Sequence, residues 1–272
     1  MKEVSPEAMS FRWPLSLYVV RILKRPKGHV PNNDFRRHMK LLLTSSGISN
    51  PTIEDALVDL LGKPIGDSSA LVVPTAIYPF PDGPGGAWRA ISGQTETPFS
   101  GLGWGSLGVL ELTALPSIKE ESWVPKLRET DALLVWGGHV MYLCYWMRQS
   151  GLADLLPSLS NTVYVGVSAG SIVMTPHNGD VESNLHWIPT GSDLAREGDG
   201  GLGLVDFAVT VHVDREGFNT SADVEKWASG IPVPTYALDD QSAVKVTDGN
   251  VEVVSEGNWR LFTPSPVPSG TD

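Results

Sequence analysis

From Met39 onward, short apolar runs alternate with longer stretches in which apolar residues recur at helical spacing. Lys40-Leu41-Leu42-Leu43-Thr44 reads as a buried strand that enters a loop at Ser45-Ser46-Gly47. Thr52 is placed to cap a helix in which Ile53, Ala56, Leu57, Leu60 and Leu61 share one face, and Gly62 ends it. Ala70–Val73 is a second buried strand. Residues 79–106 are rich in glycine and proline. They predict a long loop with one helical turn around Trp88–Ile91, of the kind that forms a lid or binding wall. Further strands are expected at Gly108–Leu112, Ala132–Trp136, Val163–Val167, Phe207–Val211 and Pro234–Leu238, with helices at Val140–Gln149 and Ala222–Ser229. Ala243–Val246 and Val251–Val254 flank Asp248-Gly249-Asn250, a hairpin signal. Strands alternating with helices imply an α/β domain, a three-layer α/β/α sandwich around a mainly parallel sheet.

Composition narrows this picture. The chain has 272 residues, 41% of them hydrophobic, enough for one large α/β domain. No run of about 18 apolar residues exists to form a transmembrane helix. The formal net charge of -11 argues against a nucleic acid partner, because phosphate binding needs a basic surface. Cys144 is the single cysteine, so neither an internal disulfide nor a cysteine metal cage can form, and a reducing cytoplasm is the expected compartment. The charge is uneven: residues 1–38 hold eight lysines and arginines against three acidic residues. They read as a basic, disordered extension or short membrane-surface helix, or as sequence upstream of a true start at Met39. The apolar stretch Trp13–Val20 lacks a small-residue cleavage site and is not read as a signal peptide. The expected organisation is therefore residues 1–38 as extension, 39–262 as the single α/β domain and 263–272 as a disordered tail.

The strongest chemical signal is Gly166-Val167-Ser168-Ala169-Gly170, set between an apolar strand and the apolar helix start Ile172-Val173-Met174. That context is what a nucleophile elbow requires: a serine on a tight turn, with small neighbours that let substrate approach its hydroxyl. The Ala169 amide would then face a developing oxyanion, and the Gly137-Gly138 pair would let the Gly138 amide join it. Of the six histidines, His212 ends an apolar strand, where parallel sheets carry their sites, and is the expected general base. His139, next to Gly138, is a candidate wall of the site. Asp239-Asp240 follows another strand, which suggests one acid orienting the imidazole and its neighbour holding the loop. Asp180, twelve positions after Ser168, is the alternative triad acid. No metal-ligand cluster or phosphate loop is visible, and no cofactor is expected.

These pieces together resemble peptidase family S51, the family of peptidase E (aspartyl dipeptidase) and cyanophycinase. The resemblance rests on Val135-Trp136-Gly137-Gly138, Tyr164–Ser171, Gly203–Phe207 before His212, and Ala237–Ala243. It implies a class I glutamine amidotransferase-like (flavodoxin-like) fold, Ser168 as nucleophile and His212 as base. Cyanophycinase-like members place their acid at the position of Asp240; peptidase E places it nearer Asp180. The stretch Thr220–Lys226 lacks the arginines that peptidase E carries there, and Arg215 is the nearest substitute. The implied activity is hydrolysis of short peptides, in the manner of an aspartyl dipeptidase. The alternatives are an esterase or other acyl hydrolase, or a catalytically silent ligand-binding member of the fold. The expected partner is a short peptide, with no stable membrane association; a homodimer is left open.

Overall fold

The structure is a computed structural model, and it describes residues 38–177 and 200–264, all within the unit spanning residues 31–272. Strand β1 (Lys40–Thr44) leads into helix α1 (Pro51–Leu61), then β2 (Ser69–Val73), helix α2 (Gly83–Ser92) and β3 (Ser106–Val109). A short helix α3 (Val124–Arg128) precedes β4 (Ala132–Val135), followed by α4 (Val140–Gln149) and α5 (Leu152–Leu155). Strand β5 (Val163–Val167) runs into α6 (Ala169–Ile172). After it come β6 (Ala208–Thr210), α7 (Ser221–Ala228), β7 (Thr235–Leu238), β8 (Ser242–Thr247), β9 (Asn250–Ser255) and β10 (Trp259–Phe262).

Seven strands form one sheet in the order β3-β2-β4-β5-β1-β8-β9. The first five are parallel, and β8 and β9 add an antiparallel edge. Alternation along the apolar runs explains why both faces are dry. Leu41, Leu43, Leu71, Val73, Leu133, Val135 and Tyr164 point to one face and pack with Leu143, Cys144 and Met147 of α4. Leu42, Ala70, Val72, Ala132, Leu134, Val163 and Val165 point to the other and meet Ile53, Leu57 and Leu60 of α1. A continuous apolar run thus supplies two cores at once. No helix among the described residues is long and apolar enough to cross a membrane.

Several local expectations change. Strands β6, β7 and β10 leave the main sheet and form a second, three-stranded one in the order β10-β7-β6, with β6 and β7 parallel. The expected strand at Gly108–Leu112 starts and ends earlier. At its far end Glu111 accepts from the hydroxyls of Thr75 and Thr113, and the chain turns there. Helix α1 is capped by Asn50, whose side chain accepts from the Ile53 amide, with Pro51 opening the helix; the Thr52 hydroxyl bonds Glu256 instead. Helix α2 spans ten residues where only one turn was expected. Its glycines serve packing: a Cβ on Gly86 would lie 2.8 Å from Cγ1 of Ile77. The hairpin closes through Asp248 (φ 50) and Gly249 (φ 77), the left-handed pair a two-residue turn needs.

Candidate active site

Ser168 follows β5 at the centre of the sheet and has φ 52 and ψ -113, a conformation that costs a non-glycine residue energy. The surrounding chain enforces it. A Cβ on Gly166 would sit 2.5 Å from the Gly170 carbonyl oxygen, and one on Gly170 would collide with the Val135 carbonyl. Both glycines are therefore required for the turn to close. The buried Tyr164 hydroxyl donates to the Gly170 carbonyl at 2.6 Å, and burial pushes its own pKa well up. The Ser168 amide and the Ser171 hydroxyl both donate to the Thr44 carbonyl at the end of β1, at 3.1 and 2.7 Å.

His212 lies two residues beyond β6, again with positive φ (57), and is buried. Its Nε2 is 3.0 Å from Ser168 Oγ, and its Nδ1 is 2.5 Å from Asp240 Oδ1. Because β6 and β7 pair directly, the residues after them emerge side by side, which brings the histidine and the acid together. Asp239 turns the other way. It accepts from the Gln241 amide, the Ser242 hydroxyl and the Asn258 amide, and so fixes the loop. Arg215 pairs with the outer oxygen of Asp240 at 3.2 Å and stacks over Phe218, whose ring lies 4.7 Å from the His212 ring. Burial drives the His212 pKa below its ordinary value. The Asp240 hydrogen bond and charge oppose this, and the nearby Arg215 charge adds to it.

Gly137 borders the nucleophile: a Cβ there would lie 3.1 Å from Ser168 Cβ. Gly138 has φ 140, and a Cβ on it would collide with the Ala76 carbonyl. Among the described residues, neither the Gly138 nor the Ala169 amide donates to another protein group. His139 does not line the site. It is fully buried, and its Nδ1 accepts from the Tyr142 amide to cap α4, because the helix start needs an acceptor there. Among the described residues, His177 offers its carbonyl to the Thr175 hydroxyl. Asp180 lies outside the described residues.

A cleft of about 380 Å³ opens over Ser168 and His212, walled by Arg89, Glu96, Trp136, Gly137 and Arg215. A larger cavity of about 670 Å³ lies behind the three-stranded sheet and touches Asp240 and Arg215 but neither Ser168 nor His212. The site chemistry therefore belongs to the smaller space. Ser45 and Phe218 had escaped the sequence reading. Ser45 sits directly after a strand in a parallel sheet, a position that marks sites in such folds; Phe218 carried no signal.

A serine after the central strand of the parallel sheet is thus joined by hydrogen bonds to a histidine and an aspartate that follow β6 and β7, an arrangement of the kind serine hydrolases use. The chain belongs to peptidase family S51, whose model matches residues 41–254, and it is accordingly a peptidase. Two solved structures share the fold. A candidate peptidase E protein from Listeria monocytogenes EGD-e superposes with a TM-score of 0.57 at 19% identity, covering 80% of this chain and 99% of its own. A peptidase from an acI-B1 actinobacterium gives a TM-score of 0.54 at 18% identity, covering 84% and 95%. No curated protein matches the sequence.

Proposed function

We propose that the protein is a serine peptidase acting on short peptides, with Ser168 as nucleophile, His212 as general base and acid, and Asp240 as the orienting carboxylate. The observation that carries this reading is the unbroken chain Ser168 Oγ, His212 Nε2, His212 Nδ1, Asp240 Oδ1, with links of 3.0 and 2.5 Å, whose serine and histidine line a cleft. In the reaction, His212 Nε2 takes the Ser168 proton as Oγ bonds to the scissile carbonyl carbon. The carbonyl π electrons move to oxygen, and the amides of Gly138 and Ala169 are the donors for that oxyanion. The C–N bond then breaks, His212 passes its proton to the leaving amine, and an acyl-enzyme remains. Water, deprotonated by the same nitrogen, adds to the ester and releases the acid, returning the proton to Ser168. Asp240 stabilises the imidazolium and fixes its tautomer throughout.

The size of the cleft supports a short substrate. Arg89 and Arg215 line it, which suits a substrate carrying a carboxylate, as an aspartyl dipeptide does. Each guanidinium already has an acidic partner, Asp82 for Arg89 and Asp240 for Arg215. Labelling with a fluorophosphonate, mapped by mass spectrometry, tests the reading: modification at Ser168 that disappears in Ser168→Ala supports it. An unlabelled Ser168, together with full dipeptide turnover by Ser168→Ala, would overturn it. A dipeptide panel varied at the first residue reads out the side-chain preference.

A further inference from the structure

We infer that Ser45 is a positioning residue of the catalytic machinery: its hydroxyl locks His212 and Asp240 in register with the nucleophile. The inference rests on the Ser168–His212–Asp240 reading above.

The geometry is specific. Ser45 Oγ donates to Asp240 Oδ1 at 3.0 Å, the same oxygen that receives His212 Nδ1. Ser45 Oγ also accepts from the His212 backbone amide at 2.9 Å. One hydroxyl therefore holds the backbone of the base and the carboxylate that orients its ring. Ser45 is itself fully buried, and its own amide donates to the Ser242 carbonyl at 3.1 Å.

What lies on either side of Ser45 strengthens the case. The preceding residue, Thr44, offers its carbonyl to the Ser168 amide and the Ser171 hydroxyl. The Thr44 hydroxyl donates to the Gly166 carbonyl at 2.8 Å and accepts from the Gly47 amide at 2.9 Å. The dipeptide at the end of β1 thus grips the nucleophile turn through Thr44 and the base and acid through Ser45. Strand β1 stands between β5, which delivers Ser168, and β8, which follows Asp240. His212 comes from the smaller sheet and Asp240 from the turn that links β7 of that sheet to β8 of the main one. Ser45 ties both directly to the end of β1.

The hydroxyl has an electrostatic consequence as well. Its donated bond draws charge from Asp240 Oδ1, which lessens that oxygen's pull on the imidazolium. The charged groups at the ring are Asp240 itself and, behind it, Arg215, with Arg89 and Glu96 lining the same cleft; Phe218 packs tilted against the ring. Removing the Ser45 hydroxyl leaves Oδ1 with the His212 Nδ1–H as its remaining close donor, which favours protonated His212.

The test uses Ser45→Ala and the near-isosteric Ser45→Cys, a weaker donor. Two quantities are measured: the second-order rate of Ser168 labelling by diisopropyl fluorophosphate against pH, and the His212 ring titration by NMR. For Ser45→Ala, the labelling rate is expected to fall roughly 10- to 100-fold, as loss of a hydrogen bond to a charged group implies. The His212 titration is expected to move to higher pH, and Ser45→Cys to lie between. A wild-type labelling rate in a folded variant overturns the proposal. So does a reduced rate with an unmoved titration, which is what a smaller folded fraction would give. If Ser45→Ala does not fold, Ser45→Cys carries both readouts. Failure of the wild-type enzyme to label at Ser168 counts against the proposed function instead, and the titration alone then decides Ser45.

Discussion

Ser168 and His212 meet at 3.0 Å, and both hold positive φ angles, 52 and 57, that side-chain-bearing residues seldom adopt. Strain of this kind costs on the order of 1–3 kcal/mol per residue and persists only where the surroundings over-determine it. Here they do: two glycines and the Thr44 carbonyl fix Ser168, and the Ser45 hydroxyl fixes the amide of His212. The folded state carries two strained positions whose side chains meet, Ser168 Oγ against His212 Nε2.

Ser168→Gly is therefore expected to be inactive and yet more stable than the wild type by about 1 kcal/mol, since glycine accepts positive φ freely. Urea unfolding of the two proteins, followed by fluorescence, measures the difference. A less stable Ser168→Gly would mean that the hydroxyl contributes more to folding than its backbone costs.

The pH dependence follows from burial. Burial disfavours the imidazolium, so His212 stays neutral, and able to act as a base, to a lower pH than an exposed histidine. Activity is lost as pH falls through that lowered pKa, so the acid limb of kcat/KM is expected below about 6.5, the unperturbed value. Phe218→Ala uncovers the ring face and should move the limb upward toward that value. A pH–rate series on both proteins checks the sign; a downward shift would show that Phe218 does not shield the ring.

Gly137→Ala places a methyl group 3.1 Å from Ser168 Cβ. The fold should survive, because the added atom's other close contact is the Val167 carbonyl oxygen at 3.2 Å, a distance that a small shift relieves. The nucleophile must move by a few tenths of an ångström, and misplacement on this scale is expected to lower kcat by up to ~10²-fold. Steady-state kinetics beside a thermal melt separates the two effects.

The sequence carried the elements whose physics is local. Apolar runs of the right length announced β1, β2, β4 and β5, and the small residues around Ser168 announced a tight turn because backbone contacts there exclude any Cβ. What it could not carry were features decided by tertiary approach. Gly86 looks like a helix breaker until the Ile77 side chain is seen to need the space over α2. Trp259–Phe262 shows no buried alternation, being largely exposed, and becomes a strand only by pairing with β7. Ser45 read as an ordinary loop residue because its partners, His212 and Asp240, lie 167 and 195 positions away.

The adjacent acids Asp239 and Asp240 allow a sharp final prediction, because the structure gives them different surroundings. Asp240 faces His212 Nδ1, so Asp240→Asn replaces an acceptor by an amide that can present a donor to the ring. The wrong tautomer is then favoured, and the imidazolium loses its countercharge. A drop in kcat of up to ~10⁴ is expected, larger than any loss of stability from the bonds to Ser45 and Arg215 can explain. Asp239 faces away from the ring and accepts from two amides and a hydroxyl, two of these groups coming from Ser242 and Asn258 across the loop. Asp239→Asn keeps its shape but loses charge-assisted acceptance, so stability should fall by about 1–3 kcal/mol. Its kcat should change far less than that of Asp240→Asn, provided the protein is assayed well below its melting temperature. Asp180→Asn is the control for the alternative triad acid and should leave kcat within a small factor of wild type. Three variants, each measured for kcat and for unfolding free energy, separate the roles. A loss of kcat concentrated in Asp180→Asn, with Asp240→Asn active and folded, would move the orienting role to Asp180 and leave Asp240 as the partner of Ser45 and Arg215 alone.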